Sequence, residues 1–115
     1  MAPIHYALGL LKVRQGDNEA ATEYLRQAAL LGPEDPHYSY VYAIALNSMK
    51  KPKEAIQFLE SALQRHPWDR EILFILTTLN FEQGNIQKAR DYASQLSEYY
   101  PEDPEVQQLL NSLGQ

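Results

Sequence analysis

The apolar residues of the chain fall at helical spacing, in runs separated by short breaks that carry Gly, Pro, Asp or Asn. Ala21, Leu25, Ala28 and Ala29 form one stripe over about 18–31, with Glu23, Arg26 and Gln27 on the wet side. Ala55, Ile56, Leu59, Ala62 and Leu63 form a second stripe on a helix that Pro52 opens. Ala89, Tyr92, Ala93 and Leu96 form a third over about 86–99. Three further helices are predicted ahead of these, over about 3–15, from 36 to near 50, and over about 70–83. The last of the three is apolar nearly all round, with Ile72, Leu73, Phe74, Ile75, Leu76, Leu79 and Phe81, so it is expected to be contacted on more than one side. Tyr38 to Tyr42 reads as a strand by propensity alone, but its register with the two equivalent segments makes it helix. Val106, Leu109, Leu110 and Leu113 predict a seventh helix, with Gln107, Gln108 and Asn111 polar.

The breaks repeat at a fixed interval. Pro33, Pro67 and Pro101 are 34 residues apart, and so are Ala21, Ala55 and Ala89, and Asp35, Asp69 and Asp103. No insertion or deletion disturbs the register, and a strict period of this length means stacked repeats. Each break also carries turn chemistry. Gly16 and Gly84 can take the left-handed cap conformation, whereas the second copy ends near Lys50 without a Gly. Asp17 or Asn18, and the Asp35-Pro36 pair, supply N-cap oxygens and a proline suited to a first turn.

With Leu8, Gly9, Ala21, Leu25, Ala28 and Pro33 in the first copy, the whole chain resembles the tetratricopeptide repeat family. The second copy carries Tyr42, Ala43, Leu46, Ala55, Leu59, Ala62 and Pro67, and the third Leu76, Thr77, Ala89, Ala93, Leu96 and Pro101. The first copy departs at His5 and Lys12, and the third holds Asn80 where an aromatic is usual. The resemblance implies an all-α, right-handed α-solenoid of three antiparallel helix pairs, at 2–35, 36–69 and 70–103, with a capping helix at 104–113. All of 1–115 is then one domain, expected to be a piece of a longer protein. Small residues are expected where paired helices cross, at Gly9, Ala43 and Thr77 opposite Ala21, Ala55 and Ala89.

The resemblance implies no reaction, only a concave groove lined by the first helix of each pair. The groove residues expected to meet a partner are Tyr6, Leu10, Val13, Tyr40, Ile44, Asn47, Phe74, Thr78 and Phe81. The best-known groove chemistry of the family is a clamp of Lys and Asn side chains on the C-terminal carboxylate of chaperone tails. The matching positions here hold Tyr6, Leu10, Val41, Glu71 and Ile75. None is a cation or an Asn, and Glu71 would repel a carboxylate, so no chaperone-tail binding is expected. The strip predicts a protein or peptide partner that offers an apolar helix or extended segment. The alternative is a structural role, with the repeats packed on the parent chain or on a second copy. The repeats also resemble terminal segments of larger bacterial proteins, secreted multihaem electron carriers among them, although no CxxCH haem site occurs.

Composition narrows the rest. The absence of Cys excludes disulfides, Cys-ligated zinc and thiol nucleophiles. A net charge of −5 argues against nucleic acid, which wants clustered Lys and Arg. No apolar run approaches the roughly 20 residues of a membrane span. His5 lies in the first repeat and His37 and His66 at opposite ends of the second, none with an i,i+4 His partner, so no metal and no cofactor is expected. No HExxH, GxSxG or Walker-type motif occurs, and no enzymatic activity is expected. Glu34-Asp35 and Glu102-Asp103 stand at helix starts, where carboxylates favour the dipole. Trp68 is expected to pack into the turn between repeats, with one of Tyr99 and Tyr100 sealing the last helix and the other facing out.

Overall fold

The computed structural model describes residues 1–114; Gln115, the last residue of the expected domain, lies outside the described residues. Among the described residues seven helices follow one another: α1 (Ala2–Arg14), α2 (Asn18–Leu31), α3 (Pro36–Ser48), α4 (Pro52–Arg65), α5 (Arg70–Glu82), α6 (Ile86–Tyr99) and α7 (Pro104–Ser112). They form an all-α solenoid of three antiparallel pairs and a final single helix, 39 × 26 × 23 Å in extent.

Aspartates start four of the helices. Asp17, Asp35, Asp69 and Asp103 each accept a hydrogen bond from a backbone N–H in the first turn, which would otherwise lack a partner. The turns inside the three pairs are closed by the same bond. Asp17 N–H donates to Lys12 O, Lys51 N–H to Leu46 O, and Asn85 N–H to Asn80 O, at 2.8–2.9 Å. This closure needs a left-handed residue, and Gly16 (φ 77°) and Gly84 (φ 82°) supply it. Lys50 takes the same conformation at φ 63° although it has a Cβ, a geometry that costs about 1–2 kcal/mol.

The helix crossings require small residues. A Cβ at Gly9 would stand 2.7 Å from the Leu25 side chain, so α1 could not lie this close to α2. Ala43, Ala55, Thr77 and Ala89 hold the equivalent places and are fully buried. Asn80 is also fully buried. Its Nδ2 donates to Leu76 O and its Oδ1 accepts from Asn85 Nδ2, so this polar core residue ties α5 to the turn that follows it.

Two hydrophobic clusters result. The larger joins α2, α3, α4 and α5 through Leu25, Tyr42, Leu46, Ile56, Leu59, Ile72, Leu76 and Leu79. The smaller joins α5, α6 and α7 through Leu73, Leu96 and Val106. As its all-round apolar pattern predicts, α5 is contacted from several sides, by α3, α4 and α6. Leu63 and Tyr92, expected in the buried stripes, are half-buried instead. Trp68 departs further from expectation and is 63% exposed. Its carbonyl accepts the hydroxyl of Tyr100, whose ring packs on the smaller cluster. Tyr99 faces out and meets the edge of that indole.

Candidate functional site

The nine groove residues expected from the sequence come from α1, α3 and α5 in three sets at the repeat interval: Tyr6, Tyr40 and Phe74; Leu10, Ile44 and Thr78; Val13, Asn47 and Phe81.

The first set is aromatic and half-buried, and polar bonds run alongside it. The Tyr6 hydroxyl lies 3.2 Å from His37 Nε2, and His37 Nδ1 lies 2.8 Å from Glu71 Oε1. A neutral His37 with its proton on Nδ1 satisfies both contacts, donating to Glu71 and accepting from Tyr6. The chain links α1, α3 and α5. The Tyr40 ring stands 5.8 Å from that of His37, and burial, then the nearby Glu71 carboxylate, push its phenol above the ordinary range. Phe74 has different neighbours. It packs against the smaller cluster, and the Arg70 guanidinium sits 5.5 Å from its ring centre. Arg70 is held by Asp103 and by Glu105 (2.8 Å). Its hydrogen bond is the main reason that the Asp103 carboxyl lies below the ordinary carboxylate range, partly opposed by desolvation.

The second and third sets meet only in part. Leu10 and Val13 of α1 face Val41 and Ile44 of α3 around a recess of about 230 Å³, with Ala21 and Leu25 of α2 also lining it. Val13 is 48% exposed and Ile44 39%, which leaves the rim open. Thr78 turns its hydroxyl back onto Phe74 O (3.1 Å), and Asn47 and Phe81 are exposed away from the recess lining. Three of the nine residues thus converge on the recess, while Tyr6 belongs to the polar chain, Tyr40 stands beside the His37 ring and Phe74 packs on the smaller cluster. Val41 also lines the recess. The family register also marks it as a groove-facing position, and as a clamp-matching one where it stands in place of a polar side chain.

Among the described residues no three His, Asp or Glu side chains gather as metal ligands would. His5 Nδ1 donates to Met1 O and His66 Nε2 to Pro33 O, so these two histidines act as local ties. No helix among the described residues is long and apolar enough to cross a membrane.

Family models described as "Tetratricopeptide repeat" match residues 6–70 and 46–113. Solved structures of similar fold include the first TPR of Spaghetti (RPAP3) bound to the HSP90 peptide SRMEEVD. It is 17% identical with a TM-score of 0.84, over 98% of this chain and 92% of that one. The Yersinia enterocolitica type III secretion chaperone SycD, in complex with a peptide of the translocator YopD, is 15% identical with a TM-score of 0.79, over 97% and 86%. Pseudomonas aeruginosa pilF is 20% identical with a TM-score of 0.77, over 98% of this chain and 52% of its own. At these identities the likeness is one of fold.

Proposed function

The chain belongs to the tetratricopeptide repeat family, and from that premise we propose that it is a protein-interaction module whose concave face receives an apolar helix or extended peptide. The observation that carries this reading is the open recess between α1 and α3, where Leu10, Val13, Val41 and Ile44 surround space for an apolar side chain. Burying one such side chain fully is worth roughly 1.5–3 kcal/mol. Several partial burials along the face sum to on the order of 10 kcal/mol, against an association cost of about 4–15 kcal/mol. The module therefore binds with moderate affinity, and a tethered partner gains most from it.

Two proteins of similar fold hold peptides, one of them the HSP90 peptide SRMEEVD. This chain uses its fold in the same general way but for different chemistry. Tyr6, Leu10, Val41, Glu71 and Ile75 offer no cation to a terminal carboxylate, and Glu71 already engages His37. The proposal is one of binding, and it assigns no reaction to the chain.

Selection of a displayed peptide library on the immobilised protein tests it. The expected winners carry large apolar residues at i, i+3 or i+4 and compete with one another for one site, while SRMEEVD does not bind at micromolar concentration. Winners without apolar anchors, or micromolar binding of SRMEEVD, would contradict the reading.

A further inference from the structure

The four helices that begin a structural unit present the same three positions to whatever precedes them. These are Ile4, Leu8 and Leu11 in α1, Tyr38, Tyr42 and Ala45 in α3, Ile72, Leu76 and Leu79 in α5, and Val106, Leu110 and Leu113 at α7. In α5 all three are buried, at 0–2% exposure, in the cluster that includes Ile56, Leu59 and Ala62 of α4. In α3, Tyr42 is buried and Tyr38 and Ala45 are half-buried in the same cluster, with Leu25 and Ala29 of α2. At α7, Val106 and Leu113 are buried and Leu110 packs beside them. Only the α1 set is bare: Ile4 is 53% exposed, Leu11 43%, and Leu8 half-buried.

The bare set is Ile-Leu-Leu, and the set that α5 buries against the preceding pair is also Ile-Leu-Leu. A surface able to cover it is therefore already present in this molecule, in the α3–α4 pair, with Tyr42, Leu46, Ile56, Leu59 and Ala62. Among the described residues, a second copy of the chain has no such surface free. Its α1–α2 pair is covered by α3, its α3–α4 pair by α5 and its α5–α6 pair by α7. The outward residues of α7, Gln107, Gln108 and Asn111, are polar and exposed.

We propose that the open face of α1 is a docking face for one further helix pair of the same 34-residue type, joined in register ahead of α1 and chemically like α3–α4. The solenoid is then directional. It is closed behind α7 by a polar surface and open ahead of α1, where another repeat extends the stack and lengthens the concave face.

A chimaera tests this. Residues 36–69 are joined in phase ahead of Ala2, so that the probe is this chain's own α3–α4 pair. The expected product melts in one cooperative transition, about 5 °C or more above the 115-residue chain. Ile4→Glu and Leu11→Glu together remove that rise in the chimaera, and they shift the unfused chain by no more than about 1 °C, because both residues are already exposed there. Two separate transitions, a melting point no higher than that of the unfused chain, or equal losses in both backgrounds would overturn the proposal. Light scattering of the unfused chain gives an independent check. Dimers at micromolar concentration that the same two substitutions dissolve would make a second copy the occupant, and would also overturn it.

Discussion

Tyr6 and Phe74 hold the same place in the first and third repeats, yet their surroundings differ. Tyr6 belongs to the half of the concave face built by α1 and α3, where Leu10, Val13, Val41 and Ile44 surround an open recess. Phe74 belongs to the half built by α5. There the ring packs toward the cluster of Leu73, Leu96 and Val106, with Arg70 beside it and Arg70 itself pinned to Asp103 and Glu105. In the first half Tyr6 is bonded to His37 but the recess rim at Val13 and Ile44 stays open, and the second half is partly used to hold α7. A register position therefore does not fix whether a side chain is available to a partner; the element that follows it in the stack does.

Substitutions can separate the two halves. The largest expected effect is at Leu73, fully buried beneath the second half: Leu73→Ala should cost about 2–5 kcal/mol in chemical denaturation, through lost burial and the cavity left behind. Phe74→Ala comes next, at about 1–3 kcal/mol, since the ring is only half-buried. The contrasting change in the first half, Ile44→Ser, should stay within about 0.5 kcal/mol. An equal loss at Ile44 would mean that the recess is core rather than binding surface.

The acid limb of stability sharpens the comparison further. The Asp103 carboxyl lies below its ordinary value of 3.8 in the folded chain, mainly through Arg70. The stabilisation is therefore present above that value and is lost as pH falls through the lower folded one. Arg70→Gln should lower stability at neutral pH and flatten its fall between about pH 5 and 2, and α7 should loosen with it. An unchanged acid profile would show that Arg70 does not hold the second half. The smallest effect is at the turn between α3 and α4. Lys50→Gly relieves the left-handed backbone and should stabilise by about 0.5–1 kcal/mol, a gain read from the denaturation midpoint.

The scaffold was legible in the sequence because its causes are local and repeat three times. The interval of 34 set the helix pairs, the aspartates marked helix starts, and Gly9, Ala43 and Thr77 marked the crossings. The repeat also showed that Tyr38 to Tyr42 is helix, against its strand-like composition. The concave face was legible as a list of positions but not as a surface. Whether Phe74 is free depends on α7, more than 30 residues later, and whether Tyr6 is free depends on His37 in the next repeat. Asn80 looked like a departure from the family, and its reason, the bond to Asn85, exists only once the turn has closed. Trp68 was expected in the turn but is exposed, and its contacts are to Tyr99 and Tyr100 from the following repeat boundary.

The proposed role of the open half of the concave face is to bind an apolar segment. Calorimetric titration of one library-selected peptide into the wild-type chain, Ile44→Glu and Gln57→Glu tests it most directly, with Gln57 as an exposed control outside the recess. Ile44→Glu is expected to weaken binding by about tenfold or more, equal to about 1.4 kcal/mol, while Gln57→Glu changes it less than twofold. Unchanged affinity in Ile44→Glu, with its helix content intact, would contradict the claim.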